Sequence, residues 1–272
     1  MARSNGGNTT IARNGRGIRN RILRALTDEE YERLAPHLRE TPLEFKEVLY
    51  EQDERITSVY FVEDGVASLV TIMHEGEIET GTVGNEGMVG IHGFLGADRA
   101  TDRAICQVPG RALEMSLETL RREPPDSLLH QHLMRYAEAV MAMLAQSAAC
   151  NRAHTIEQRM CRWLLMTMDR VGRDEFPLTQ EFLAQMLGVR RPSVSLAGAA
   201  LQRAGLLRYS RGRITILNRR ALEATSCECY ERIHRAFQRA VGSGNDNNRN
   251  NARNHKNNAR SRAKNHARGD TA

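Results

Sequence analysis

Short β-rich runs dominate the chain between about residues 48 and 115. Apolar and β-branched residues are grouped there in runs that Gly, Pro, Asp and Glu interrupt, a pattern typical of antiparallel strands joined by tight turns. Asp64-Gly65 and Pro109-Gly110 each lie between two such runs, and each therefore predicts a turn. The predicted strands are Val59–Val62, Val66–Met73, Ile78–Val83, Arg103–Val108 and Ala112–Met115. This series of short strands predicts an antiparallel β-roll or jelly roll.

A helical pattern replaces the strand pattern after Pro124-Pro125. Apolar positions recur there at alternating spacings of three and four residues, an average period of about 3.5 that is typical of a coiled-coil seam. They are Leu129, Leu133, Tyr136, Val140, Met143, Ser147 and Cys150. We therefore expect a long helix in residues 126–154 that pairs with the same helix of a second copy. The alternative is a helix that packs only on its own β domain.

Two short amphipathic segments in residues 178–205 predict a helix-turn-helix. Thr179 is placed to cap the first segment, and Gly188 can adopt the left-handed conformation that ends it and begins a sharp turn. Pro192 suits the first turn of the second segment. The stretch LLRYSRGRITILNR that follows predicts a β-hairpin, which would form a wing. Flanking helices are expected at Ile156–Val171 and Leu222–Val241.

The predicted fold class is α+β, with an N-terminal antiparallel β-roll or jelly roll, a long dimerisation helix and a C-terminal winged helix-turn-helix. The predicted divisions are a β-roll in residues 25–125, the long helix in residues 126–154, the helix-turn-helix unit in residues 155–220 and a C-terminal helix in residues 221–241, between tails at residues 1–24 and 242–272.

Charge is distributed unevenly along the 272 residues, although the net charge is only +6. Residues 25–154 contain 23 acidic and 11 basic residues, whereas residues 155–220 contain 12 arginines and five acidic residues. An acidic block followed by a basic block indicates that only the second block meets a polyanion. The two tails are basic and lack apolar periodicity, so we expect them to be disordered. Such tails either tether nucleic acid non-specifically or have no dedicated role.

Composition narrows the class of protein further. Five cysteines form an odd set without framework spacing, which indicates reduced thiols and a cytoplasmic location. Cys150 is expected to be a buried free thiol, and a redox-sensitive pair across a dimer axis is the alternative. No run approaches the roughly 18 apolar residues of a membrane span, and no secretory signal is expected. The sequence contains no nucleophile elbow, P-loop or metalloprotease motif, so an enzyme is not expected.

Adjacent arginines at the start of the second segment carry the functional prediction. Arg190 and Arg191 lie where the helix macrodipole disfavours positive charge, so a negative partner is expected there. A recognition helix places this end against base edges in the major groove, where a guanidinium can bind guanine in a bidentate manner. The predicted DNA-contacting residues are Thr179, Arg190, Arg191, Ser193, Val194 and Ser195, together with Arg208, Arg211 and Arg213 of the wing. The alternative is a solvated basic surface.

The chain resembles the cAMP receptor protein and fumarate–nitrate reduction regulator (Crp/Fnr) superfamily over about residues 25–220. The resemblance rests on the order and spacing of SVYFVEDGVASL, GNEGMVG, DRAICQV, IEQRMCRWLL and LTQEFLAQMLGVRRPSVS. It implies a cyclic-nucleotide-binding-like β-roll that acts as a sensor, a dimerising helix and a winged helix that binds a DNA palindrome. Arg191 matches a position that typically reads a base. Pro192 and Leu196 depart from the family pattern, so we expect a different DNA sequence to be recognised.

The resemblance also locates an effector site, at Gly84, Glu86, Gly87, Arg103 and Ala104. A cyclic-nucleotide site in this family takes a Gly-rich turn, a carboxylate for the ribose and an Arg-Ser pair for the phosphate. Here Glu86 lies one or two positions from the expected carboxylate, and Ala104 replaces the serine. Leu144 and Ala145 are apolar where cAMP-binding members carry polar base contacts. A cyclic nucleotide is therefore disfavoured, no cofactor is predicted, and the protein is expected not to respond to cAMP.

Other sensing chemistry finds little support in the residues. The N-terminal cysteine cluster of the iron–sulfur members is absent, and His74 and His92 are expected to be surface histidines rather than haem ligands. Cys227, Cys229 and His234 lie on one predicted helix, where three ligands give poor tetrahedral geometry. No metal site is therefore predicted.

These patterns together predict a homodimeric transcription regulator that binds double-stranded DNA at a palindrome with half-sites about one helical turn apart. An effector at the β-roll would act by favouring one pairing of the long helices, and a regulator without an effector is equally allowed. RNA polymerase is a further expected partner, and a membrane is not. The alternative function is a sensor module whose helix-turn-helix binds protein rather than DNA.

Overall fold

The computed structural model describes residues 17–74, 76–210 and 212–242. The N-terminal elements are α1 (Arg21–Arg24), α2 (Asp28–Leu34), a 3-10 turn (Ala35–His37), β1 (Arg39–Leu43), β2 (Val48–Tyr50), β3 (Ser58–Met73), β4 (Gly76–Val83), β5 (Met88–Val89), α3 (Ile91–Phe94), β6 (Arg103–Ser116) and α4 (Leu117–Arg121). The remaining elements are α5 (Leu128–Ala153), α6 (Ile156–Val171), β7 (Glu175–Pro177), α7 (Gln180–Leu187), α8 (Arg191–Arg203), β8 (Leu207–Ser210), β9 (Arg213–Ile216), α9 (Arg219–Thr225) and α10 (Cys229–Val241). The predicted α+β fold is confirmed.

Two long antiparallel strands form the centre of the N-terminal sheet, whose order is β1-β6-β3-β4. The turn predicted at Asp64-Gly65, which would have joined two strands in a hairpin, is wrong. β3 continues through these residues and pairs with β6 on both sides of them, with shifts of register. Gly65 has a φ of 87°, and a Cβ there would lie 2.4 Å from the carbonyl oxygen of Val108. Glycine therefore permits a bulge at which the two strands bend together. Pro109-Gly110 lies in the same bend and does not split β6.

Residues 17–24 are part of the folded domain, which corrects the expected tail at residues 1–24. Ile22 and Leu23 are fully buried. The side chain of Asn20 caps α1 by accepting from both of their backbone N–H groups, and its amide donates to carbonyl oxygens of the β-roll. The apolar stretch is too short for a periodic pattern, so its packing was not visible in the sequence. Residues 1–16 and 243–272 of the expected tails lie outside the described residues.

The long helix α5 packs on the β-roll and on α10. The predicted dimer seam is buried within the chain itself, at Leu129, Leu133, Tyr136, Val140, Met143 and Cys150, while Ser147 is half-buried. The prediction that the six buried side chains meet a second copy is therefore wrong, whereas the prediction for Ser147 stays open. A heptad period shows that a helix has one continuous apolar contact, and it does not show whether the contact belongs to another chain.

The C-terminal segment forms two helices instead of the single helix predicted over Leu222–Val241. α9 ends at Thr225 and α10 begins at Cys229, because Ser226 has an extended backbone. This turn lays the apolar side chains of Ile233 and Phe237 in the core beside α5. No glycine or proline marks the turn, so the sequence carried no local signal for it. None of the helices in the described ranges combines the length and the apolar character of a membrane-spanning segment.

Candidate functional site

α7 and α8 form the predicted helix-turn-helix, with the local features that the sequence indicated. The hydroxyl of Thr179 accepts from the backbone N–H of Phe182 at 3.1 Å and caps α7. Gly188 ends α7 in the left-handed conformation, with a φ of 61°. α8 then begins at Arg191, with Pro192 in its first turn. The cap, the glycine and the proline fix the short turn that positions α8.

The outer face of α8 is open to solvent. Arg190 and Arg191 are exposed at its N-terminal end, and 68% of Leu196 is exposed one to two turns further on. Ser193 and Ser195 are half-buried, and the Ser195 hydroxyl donates to the side-chain oxygen of Gln180 at 2.7 Å. The arginines and serines predicted to bind DNA therefore lie on or beside one surface.

Val194 is the predicted DNA-contacting residue that the structure places elsewhere. Its side chain is fully buried in the core between α6, α7 and α8. It therefore holds α8 in place rather than reaching a base edge. The exposed positions that follow Leu196 at helical spacing are Ala199 and Arg203, which were not among the predicted contacts. The sequence did contain a signal for them, because the helical periodicity of α8 places both residues on the face opposite its apolar residues.

The ion pair of Arg191 is weak. Its Nε atom lies 3.8 Å from a carboxylate oxygen of Glu181, and both side chains are well exposed. Exposed pairs of this kind contribute between about 0 and 1 kcal/mol and are screened by salt. A polyanion that approaches α8 can therefore bind this guanidinium with little loss of free energy from the broken ion pair.

The predicted wing is present as the β8–β9 hairpin, which β7 extends to three strands. Arg208 is exposed on β8, and Arg213 on β9 pairs with Glu175 at 2.6 Å. The hydrogen bond and the charge of Arg213 lower the pKa of the Glu175 carboxyl. Arg211 lies outside the described residues. The described wing arginines are thus on the same part of the molecule as α8, and one of them is held by a neighbouring carboxylate.

The glycine loop of the predicted effector site is filled by the chain's own side chains. A Cβ on Gly84 would lie 2.5 Å from the side chain of Arg170, and a Cβ on Gly87 would lie 2.3 Å from the hydroxyl of Tyr136. Glu86 forms an ion pair with Arg170 at 2.8 Å, and the two side chains are only 5% and 6% exposed. The carboxylate expected to bind a ligand therefore binds α6 instead.

Arg103 and Ala104 do not join this loop. The guanidinium of Arg103 pairs with Glu51 and with Glu77, each at 2.6 Å, and the hydrogen bond that it donates to Glu51 is the main cause that raises its pKa. Glu77 lies at the start of β4, whereas the glycine loop follows the end of β4. Ala104 is fully buried within the sheet. The structure thus separates the two halves of the predicted effector site by the length of a strand.

A partly buried polar contact joins the β-roll to α6. The Glu79 carboxylate accepts from the indole N–H of Trp163 at 2.8 Å and from the Ser68 hydroxyl at 2.7 Å. Burial raises the pKa of Glu79 to about 7, although both hydrogen bonds favour the ionised form. A second contact lies nearby, where the Gln185 amide of α7 donates to Glu77 at 2.6 Å. The helix-turn-helix unit therefore packs directly against β4.

Four side chains with metal-ligating atoms meet at the end of α5. The ligating atoms of Cys150, His154, Cys227 and Cys229 all lie within 4.8 Å of one another. His234, which was grouped with the cysteines from the sequence, lies instead 3.7 Å from Asp169. The prediction that Cys227 and Cys229 lie on one helix was wrong, because Cys227 lies in the turn before α10. The cluster was hidden in the sequence because its two halves are far apart along the chain.

Two family models match the chain. A model of the cyclic nucleotide-binding domain matches residues 41–123, and a model of the Crp-like helix-turn-helix domain matches residues 158–225. Together they cover just over half of the chain, in the order that the structure shows. A comparison with curated proteins found no match.

Solved structures of regulators with this fold align with most of the chain at low identity. FixK2 from Bradyrhizobium japonicum is 16% identical, with a TM-score of 0.61 over 70% of this chain and 98% of that chain. A transcriptional regulator of the CRP family from Thermus thermophilus is 23% identical, with a TM-score of 0.59 over 68% and 96%. The c-di-GMP-responsive global regulator CLP of Xanthomonas campestris is 17% identical, with a TM-score of 0.55 over 71% and 100%. With its cyclic nucleotide-binding domain followed by a Crp-like helix-turn-helix domain, the chain belongs to the Crp/Fnr family of transcription regulators.

Proposed function

We propose that the protein is a homodimeric regulator that binds a specific DNA palindrome through α8. The observation that carries this proposal is the open outer face of α8, which presents Arg190 and Arg191 on a capped, winged helix-turn-helix. The N-terminal end of such a helix enters the major groove, where guanidinium groups can read guanine. DNA therefore supplies the negative charge that this helix end lacks.

Each exposed group on this surface has a chemically matched partner on DNA. Arg191 is assigned to a guanine edge, and the exposed apolar side chain of Leu196 suits the methyl group of thymine. Ser193, Ser195 and the exposed Thr179 suit phosphate oxygens. Arg208 and Arg213 of the wing are assigned to the DNA backbone. Val194 is not assigned a contact with DNA, because its side chain is buried.

The second copy is proposed to bind the exposed face of α5 rather than the buried seam. Met134 and Met141 are 50% and 61% exposed, and Ala145 and Ala148 continue the same face. Their spacings of seven, four and three residues suit a coiled-coil seam, and the small alanines permit close approach of two helices. The proposed dimer face is thus the side of α5 that the β-roll and α10 leave uncovered.

The DNA-binding proposal is tested by mapping the bound sites across the genome and then measuring the affinity for the palindrome found. We expect Arg191→Ala to weaken binding about ten- to hundredfold, since a bidentate contact contributes roughly 1–3 kcal/mol. The control is Arg235→Ala, which removes an exposed arginine of α10. Affinity for DNA should also fall steeply as salt increases. Affinity that is indifferent to Arg191 would contradict base reading, and a wild type without DNA affinity would favour the protein-binding alternative.

The dimer proposal is tested by light scattering at micromolar concentration. We expect the wild type to have twice the mass of the 30.6 kDa chain. Met141→Glu should give a monomer, because it places a charge in the proposed seam. Met73→Glu, at an equally exposed methionine of the β-roll, should remain dimeric. A wild type that is monomeric under these conditions rules the dimer out.

A further inference from the structure

Three thiols and one imidazole join the end of α5 to the turn between α9 and α10. Cys150 Sγ lies 3.5 Å from Cys227 Sγ, and Cys229 Sγ lies 3.6 Å from His154 Nδ1. A tetrahedral zinc site with ordinary bond lengths has sulfur–sulfur edges of about 3.8 Å and sulfur–nitrogen edges of about 3.6 Å. We propose that these four residues bind one zinc ion as a closed Cys3His site.

The backbone delivers the four ligands as two pairs. Cys150 and His154 are four residues apart at the end of α5, so their side chains lie on one side of the helix. Cys227 and Cys229 flank a single residue at the start of α10. All three cysteines are buried, and the Sγ atoms of Cys150 and Cys227 are farther apart than the roughly 2.05 Å of a disulfide. The arrangement therefore suits a shared ion rather than a covalent bond between two of the thiols.

Groups around the ligands already have the orientation that a zinc site requires. The Nε2 atom of His154 lies 3.1 Å from a carboxylate oxygen of Glu228. A proton held on Nε2 by this carboxylate leaves the lone pair of Nδ1 directed at the cysteines, the usual arrangement of a metal-bound histidine. The side-chain amide of Gln146 donates to Cys229 Sγ at 3.1 Å, which stabilises a thiolate there. Both contacts favour the protonation states of the bound form.

Buried positive charge beside the cluster matches the charge of the proposed complex. Three thiolates and one zinc ion carry a net charge of −1. The guanidinium groups of Arg159 and Arg162 are buried, and their Nε atoms have no hydrogen-bond partner among the described residues. Both arginines interact electrostatically with Cys150. Arg162 also interacts electrostatically with the Glu79 carboxylate, so its charge is already partly compensated. Because a buried charge without a counter-ion is costly, an anionic zinc–thiolate complex would stabilise Arg159 most.

The position of the site indicates its role. Four protein ligands leave no open coordination position, which is typical of structural rather than catalytic zinc. The ligand His154 lies between the last residue of α5 and the start of α6. The zinc ion would therefore clamp α10 to the junction at which the central helix meets the DNA-binding unit, and it would fix the angle between them.

The test begins with tag-free, full-length protein purified under reducing conditions and analysed for metals by mass spectrometry. We expect one zinc ion per chain in the wild type. Cys150→Ser and Cys227→Ser should lose it, whereas Cys161→Ser and Cys106→Ser, which change buried cysteines outside the cluster, should retain it. Replacement by Co2+ should give the thiolate charge-transfer and intense d–d bands of a tetrahedral site in the wild type and in both controls.

A milder variant keeps the test independent of folding. Glu228 is exposed, so Glu228→Gln should fold normally and still bind one zinc ion. Its affinity should fall by about tenfold to a hundredfold in competition with a chromogenic chelator, because the carboxylate orients the ligand histidine. The proposal is overturned if reduced wild type binds neither Zn2+ nor Co2+, if Cys227→Ser retains the full zinc content, or if the protein carries an iron–sulfur chromophore instead.

Discussion

The glycine loop of the β-roll and the outer face of α8 are the two sites that the sequence predicted to be functional, and their surroundings differ. The loop is closed, because Arg170 and Tyr136 fill the space that its glycines leave. The outer face of α8 is open, with Leu196 and two arginines in solvent. The glycines of this loop thus indicated that something approaches the backbone closely, and they did not show whether it is a ligand or the chain itself.

Arg170 connects the two regions. It belongs to α6, donates to Glu86 and Thr82 of the β-roll, and lies on the helix against which α8 packs. The closed loop therefore serves as a contact between the β-roll and the helix-turn-helix unit. Variants that disturb the closed region should affect stability, whereas those on the open face should affect DNA affinity.

The largest expected effect on stability comes from Arg170→Ala. Removing the guanidinium leaves Glu86 buried without its ion-pair partner, a change that typically costs about 3–5 kcal/mol. Urea denaturation should show this loss in the free energy of unfolding. The exposed neighbour Arg173 provides the control, and Arg173→Ala should change stability by less than about 0.5 kcal/mol. Equal stability of the two variants would contradict a closed loop.

Glycine-to-alanine substitutions in the closed loop and on the buried side of α8 should change stability in opposite directions. Gly87→Ala would push a methyl group against the buried ring of Tyr136 and should destabilise the protein by about 1–3 kcal/mol. Gly198→Ala on α8 meets its nearest atom only at 3.7 Å, so the helix should gain about 0.5–1 kcal/mol. Thermal unfolding of both variants gives the comparison. A stabilising Gly87→Ala would show that the loop is not filled in solution.

Glu79 gives a smaller, pH-dependent effect at the contact between the β-roll and α6. Burial raises its pKa from 4.5 to about 7, so the folded chain binds more protons than the unfolded chain between these values. The free energy of unfolding should therefore fall as the pH rises through this window and stay lower above it. Between pH 5 and pH 8, the free energy of unfolding of Glu79→Gln should therefore decrease by about 1–3 kcal/mol less than that of the wild type. Glu118→Gln, at an exposed glutamate, should leave the pH profile unchanged.

The smallest expected effect concerns cAMP, for which we expect no measurable binding. Titration calorimetry should detect no binding at micromolar concentrations, because Glu86 is paired with Arg170 and Arg103 is paired with Glu51 and Glu77. Arg103→Ala removes the group matched to the phosphate and should give the same flat titration. Micromolar cAMP binding by the wild type would mean that the closed loop opens.

Local features account for the part of the site that was predictable. The Thr179 cap, the left-handed Gly188 and the early Pro192 each act over a few residues, so the sequence located the helix-turn-helix correctly. Val194 was misplaced because a helix alternates between buried and exposed faces within three or four residues. Assigning its face required knowing where α6 lies.

The sequence by itself determined the order of strands and helices, the turn chemistry of the helix-turn-helix unit and its basic charge, since these depend on near neighbours. The tertiary structure decided which surface covers the apolar face of α5, what fills the glycine loop, and that Cys150 meets Cys227. Those contacts join residues far apart along the chain. They follow from how whole elements pack, and no periodicity or local propensity encodes that packing.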